Sequence, residues 1–170
     1  MPKLRDVLRA LRFRDRPRRK SRAAVTVPEP GRSGRYATKD TTRDVRSVTM
    51  TYNPDTDGEP DPGEVVWTWV PYEDDPTRGK DRPVLIVARE RSNTLLGVQL
   101  SSQDRNGDPL WIRIGSGGWD ASGRESWADL TRVLRVHPQG MRRAGAALAR
   151  NRFDKVADAL RDRYGWTLRS

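Results

Sequence analysis

A nearly continuous apolar run of strand length begins after Glu64. In the run Glu-Val-Val-Trp-Thr-Trp-Val, Val65, Trp67 and Trp69 fall on one face and Val66, Thr68 and Val70 on the other. A strand apolar on both faces is predicted to be covered on both. A shorter apolar stretch over 45–52 predicts a strand before it, and the proline- and glycine-rich run 53–63 between them marks where the compact domain begins. Further strands are predicted over 84–89, 95–102, 109–114 and 126–136, separated by a polar loop over 71–81 and a glycine-rich turn over 115–123 that holds Trp119. Short strands at close spacing with glycine turns indicate a mainly β chain, a small barrel. One helix closes it: Phe153, Val156, Ala157 and Leu160 form the apolar stripe, Asn151 with Asp154 three residues on reads as the N-cap, and Gly165 supplies the stop.

The N-terminal third has a different character. Leu4, Val7, Leu8 and Leu11 recur at helical spacing, but from residue 14 to 39 the chain is dominated by Arg, Ser, Gly and Pro, too polar to offset the entropy of ordering. The organisation read from this is a basic, partly disordered arm over 1–43 and a barrel domain over 44–170, its core about 60–163. Charge sharpens the division: the net +10 lies in residues 1–50, which hold 15 Lys+Arg against 5 Asp+Glu, whereas the remaining 120 hold 18 of each. A neutral domain with a cationic arm is implied, the arm serving solubility or an electrostatic grip on nucleic acid or acidic lipid. With no cysteine and a single histidine, His137, neither a thiolate site nor a zinc cluster is expected, and no cofactor is implied. No apolar run reaches membrane-spanning length and no secretion signal is evident, so no stable membrane insertion and a cytoplasmic location are expected.

Candidate chemistry is confined to strand ends, because P-loop, dinucleotide and Cys–His patterns are missing from the sequence. Arg82 precedes Pro83 at the start of the apolar strand 84–89, and the proline forces Arg82 into an extended conformation. Its guanidinium offers a planar fork suited to a phosphate, but on composition alone a surface ion pair with Asp81 or Glu90 is the simpler reading. Ser101, Ser102 and Gln103 end the next strand, where serines also commonly bond the local backbone. His137 precedes a proline in a turn and reads as surface.

The order of these residues resembles the MazF/PemK family of toxin endoribonucleases, in a variant with an extended N-terminus. The motifs that carry the resemblance are Gly63-Glu64-Val65-Val66-Trp67, Arg82-Pro83-Val84-Leu85-Ile86-Val87 and Gln99-Leu100-Ser101-Ser102-Gln103, followed by the strand at 126–136 and the Arg-x-x-Gly strand and helix within 141–160. The resemblance implies an SH3-like barrel that forms a homodimer, a partner antitoxin, and metal-independent cleavage of single-stranded RNA by attack of the ribose 2′-hydroxyl. It places the catalytic pair on Arg82 and Ser101; Lys80, Ser102, Gln103, Arg105 and Trp119 are the candidate RNA-binding residues, with Trp119 read either as a ring for base stacking or as a turn tryptophan that simply caps the barrel. Ser101 stands where the family carries threonine, and Thr77 where many members carry glutamate. A catalytically silent barrel that holds nucleic acid or a protein partner is the alternative, and Glu73, Asp74 and Asp81 are the carboxylates available to replace a base.

Overall fold

The computed structural model describes residues 31–170, with the side chains of Arg143 and Ala144 left aside. The expected helix at Leu4–Leu11 and the arm up to residue 30 lie outside these. Strands follow as β1 (Lys39–Asp40), β2 (Thr49–Met50), β3 (Glu64–Pro71), β4 (Gly79–Arg89), β5 (Leu95–Ser101), β6 (Trp111–Gly115), β7 (Ser126–Asp129), β8 (Leu134–Val136) and β9 (Met141–Ala147), then helix α1 (Arg150–Tyr164) and β10 (Thr167–Leu168). Eight strands form one sheet, with β1-β8-β5-β4-β3-β9 in order and β7 linking β5 to β6, and β10 pairs in parallel with β2. The sheet curls into a half-barrel with a single C-terminal helix, the mainly β architecture read from the sequence.

Both faces of β3 and β4 are buried, as their patterning requires. Val65, Leu85, Val87 and Val98 pack with Phe153, Val156 and Leu160 of α1, while Val66, Val84, Ile86, Leu95, Leu134 and Val136 form a second apolar layer. Each such side chain contributes roughly 1.5–3 kcal/mol on burial. Tyr52 ties the helix entry to the layer, with its ring 5.1 Å from that of Phe153 and its hydroxyl donating to Leu148 O at 2.7 Å.

Several local expectations are corrected. The predicted strand over 126–136 is interrupted at 130–133, because the Asp129 carboxylate accepts from Thr131 N (2.8 Å) and Thr131 Oγ1 (2.6 Å), and this local turn competes with the ladder. Asn151 is not the N-cap: the chain enters the helix at Arg150, and the backbone carbonyl of Ala149 accepts from Arg152 N (2.9 Å) and Phe153 N (3.0 Å) with no side-chain cap. Gly165 does end the helix, at φ 72° with its N–H on Arg161 O. The strand expected over 45–52 is reduced to Thr49–Met50.

From Gly31 onward the segment assigned to the arm is ordered against the barrel. Thr38 Oγ1 meets Thr68 Oγ1 at 2.9 Å, and Thr68 Oγ1 donates to Gly140 O at 3.1 Å. Gly31, at φ +80°, sits so close that a Cβ there would lie 2.7 Å from Gly140 O. β1 pairs with β8, and Arg132, 6% exposed, donates through Nε to Asp40 Oδ2 (2.9 Å) and through Nη2 to Pro71 O (3.1 Å). Composition hid this because the tie is polar, made by threonines, a glycine and an ion pair between buried Arg132 and exposed Asp40.

Burial raises the Asp40 carboxyl, but bonds from the Thr42 hydroxyl and amide and from Arg132 outweigh it and hold the group below the ordinary aspartate value. Its stabilising contribution is therefore complete above about pH 4 and is lost as pH falls through the depressed folded value. Asp40→Asn keeps an acceptor oxygen for Arg132 but removes the carboxylate charge, so urea unfolding at pH 7 should show a loss of about 1 kcal/mol or less, solvent screening the pair, with variant and parent converging in acid; an equal difference at every pH would refute the assignment.

Candidate functional site

The cleft originates where two central strands part. β4 and β5 are paired from Arg89–Leu95 to Val84–Gln99 and no further, while β5 continues against β7 through Leu100–Ala128 and Ser101–Trp127. Pro83 occupies the first β4 position past that last pair, where the strand is paired on one side, to Trp67 of β3. Proline has no N–H to give a ladder and is tolerated at such a position. Arg82 is thus inside β4 and paired to Thr68, rather than at the mouth of a strand as the sequence suggested. By strand alternation Arg82 lies on the same face of β4 as Val84, and Ser101 on the same face of β5 as Gln99, so both side chains are on one side of the parted strands.

The space between the parted strands is a cleft of 410 Å³ whose walls include Arg82, Ser101, Gln99, Asp129, Trp111 and Glu73. All seven residues assigned from the sequence line it: Lys80, Arg82, Ser101, Ser102, Gln103, Arg105 and Trp119. Lys80, Ser102 and Gln103 are exposed at its rim, and Arg105 is half-buried. Ser101 is 8% exposed and its Oγ accepts from Gln103 N at 3.2 Å, the local backbone bond expected of a strand-end serine, which leaves the hydroxyl proton uncommitted among the described bonds.

Arg82 is half-buried and makes no hydrogen bond or ion pair with any described residue. The carboxylates that would have neutralised it are spent elsewhere: Asp81 pairs with Arg142, and Glu90 accepts from Arg135 at 2.7 and 2.8 Å. The ion-pair reading of Arg82 is therefore corrected. Burial pushes its guanidinium below the ordinary arginine value, with the charges of Arg132 and Arg105 adding to the effect and Tyr72 and Asp129 opposing it. A desolvated cation without a counter-ion, on the wall of a cleft, is the arrangement an oxyanion ligand would complete.

Trp119 does not present a stacking face. It is 5% exposed, with Nε1 on Ser126 Oγ at 3.1 Å and its carbonyl accepting from Trp67 Nε1 at 2.8 Å, so it caps the core beneath the cleft. The residues missed in the sequence are Gln99, Asp129 and Trp111. Asp129 is 3% exposed, and beside its two bonds from Thr131 it accepts from Gln99 Nε2 at 2.8 Å on Oδ2. Of roughly four lone-pair directions on a carboxylate, three are then used. Asp129 gave no signal because it lies in an apolar run, and only the folded register brings it opposite Trp111 and within reach of Gln99. Of the loop carboxylates, Glu73 and Asp81 line the cleft and Asp74 does not. Thr77 is turned to Asp75, with N at 3.1 Å and Oγ1 at 2.6 Å from Asp75 Oδ1. His137 lies edge-on to Tyr36 and is not part of the cleft wall.

Residues 61–163 match the family model of PemK-like, MazF-like toxins of type II toxin-antitoxin systems. The chain belongs to this family. A search among curated proteins returned no individual match. The PemK-like match begins at the turn before β3 and ends within α1, so it spans the parted strands and every residue of the cleft wall. Among the described residues no group of histidine, cysteine or carboxylate side chains is arranged to hold a metal ion, and no helix is long and apolar enough to cross a membrane.

Because Arg82 has no protein partner to lose, replacing it should not weaken the fold. Arg82→Met removes a half-buried charge while keeping an unbranched apolar stem, and its thermal midpoint should equal or exceed that of the parent. A drop of several degrees in differential scanning calorimetry would show that Arg82 serves the fold.

Proposed function

We propose that the protein is a metal-independent endoribonuclease acting on single-stranded RNA, the toxin of its pair. The single observation that supports this reading is the unpaired, half-buried Arg82 guanidinium on the wall of one cleft with the Ser101 hydroxyl and the buried Asp129 carboxylate. In the proposed reaction the substrate's 2′-hydroxyl gives its proton to Asp129, which keeps one acceptor position unused. The 2′-oxygen then bonds to the adjacent phosphorus, and the phosphorane's negative charge is met by Arg82 and Ser101. The bond to the 5′-oxygen breaks, that oxygen takes a proton from Arg82 directly or through water, and the products are a 2′,3′-cyclic phosphate and a 5′-hydroxyl. Donors fixed before the reaction act on charge that gathers only in the transition state, which is the source of rate. The lowered affinity of Arg82 for its proton eases the final transfer.

Ser101 retains the donor of the family's threonine without the methyl that restricts its rotamer. Its own bond from Gln103 N supplies part of that restriction here. An antitoxin with an acidic segment laid across the cleft would neutralise Arg82, and a cytoplasmic homodimer is the assembly the family reading carries. The silent-module alternative draws support from Thr77, which holds Asp75 and brings no carboxylate to the cleft.

A labelled single-stranded RNA incubated with the protein in EDTA separates the two readings. Cleavage leaving a cyclic phosphate is expected, with Arg82→Ala, Ser101→Ala and Asp129→Asn each lowering kcat about a hundredfold or more. Undiminished cutting by Arg82→Ala, or none by the parent protein, would refute the nuclease mechanism. If the cationic N-terminal residues also touch RNA, deleting 1–30 should reduce the slope of log affinity against log salt by about 0.7 for each phosphate they neutralise; an unchanged slope would make them bystanders.

A further inference from the structure

Two guanidiniums, not one, line the cleft without a carboxylate. Arg105 leaves the end of β5 on the loop 102–110, where turns Asn106 N to Asp104 Oδ1 (2.8 Å) and Asp108 N to Arg105 O (3.0 Å) fix its backbone. Its guanidinium carbon lies 4.5 Å from the ring centroid of Trp111. Nη2 donates to Gln103 Oε1 at 2.9 Å, a neutral partner, and buried Nε has no partner. Arg105 is thus held in place by an aromatic ring and an amide, and its charge is not cancelled. Trp111 is itself half-buried on the cleft wall, anchored in β6 opposite Asp129. Arg105 is also near enough to Arg82 for its charge to weaken that group's hold on its proton.

We propose that the Arg105–Trp111 stack is a nucleobase subsite beside the phosphate site: one face of the guanidinium lies on the indole, and the other, turned to the cleft, receives a base of the RNA strand. A guanidinium plane is a stacking surface for unpaired bases, and cation and ring together grip a base of any identity because every base has a π-face. Of the two readings of Trp119, the barrel cap fits its burial, and the stacking surface is instead the Arg105 plane backed by Trp111. The indole that serves the ligand is the one covered by an arginine; the one in the glycine turn is sealed in the core. The subsite rests on the reading of the cleft as an RNA site but does not require that the RNA be cut.

The test measures binding, by fluorescence anisotropy of the full chain with a short 2′-fluoro RNA that cannot be cleaved. A single abasic nucleotide is moved along the oligonucleotide. The parent protein should lose about tenfold or more in affinity at one position of the scan and little elsewhere. Arg105→Lys keeps the charge and loses the plane, and Trp111→Leu removes the backing ring; each should weaken binding to the intact strand and flatten the scan at that position. The scan in Arg82→Ala should keep its sensitive position. If the parent binds but every abasic position is equivalent, or if Arg105→Lys keeps the parent's profile, Arg105 is a point charge and the base subsite is refuted while the RNA reading stands. Absence of any binding to the intact strand refutes both.

Discussion

The parting of β4 from β5 is the constraint on which the site depends. A curled antiparallel sheet gains most by keeping its ladders complete, yet here β5 leaves β4 after Gln99 and follows β7 instead. Pro83, with no N–H to offer, stands at the first unmatched position, and the strand beyond it is held by β3 alone. The opening is therefore part of the backbone pairing and does not need a mobile loop to form. Arg82, Gln99 and Ser101 sit on rigid strand positions around it, which is how a constellation is held within the small tolerances that chemistry requires.

Charge is distributed around that opening with a consistent outcome. Asp81 is paired with Arg142, Glu90 with Arg135 and Asp120 with Arg124, so three carboxylates near the cleft or on its flanking strands are each matched to a cation. Arg82 and Arg105 are left over, and the single deep carboxylate, Asp129, is bound to an amide and a threonine instead of to either of them. With three of its acceptor positions taken by neutral donors, Asp129 shares the cavity with the cations without forming an ion pair with either. The chain over 51–170 is neutral as a whole, and the cleft wall is balanced in number too, with Lys80, Arg82, Arg105 and Arg124 against Glu73, Asp81, Asp120 and Asp129.

Much of this was legible in the amino-acid sequence, and the limits have physical causes. The two-sided burial of β3 and β4 followed from continuous apolar runs, and the terminal stop at Gly165 followed from its need for positive φ. Arg82 and Ser101 were singled out because a proline and a strand end mark them, and both line the cleft. Asp129 and Trp111 were not, since a carboxylate or an indole in an apolar strand carries no local mark of the cavity that long-range register builds around it. The helix start differs from expectation because a favourable cap residue, Asn151, lies inside a helix whose first turn is set by the backbone leaving β9. The ordered stretch from Gly31 was hidden for a related reason: its anchors, Thr38, Asp40 and Gly31, are residues that composition counts as loop formers.

The unmatched cation of Arg82 also affects how long the molecule persists. An empty cleft keeps a desolvated charge at a cost that any anionic occupant removes, so the occupied form is the more stable one and opens less often. Where breakdown proceeds through transient opening, the lifetime of the chain is tied to occupancy: an anion bound at Arg82 would spare the molecule that holds it.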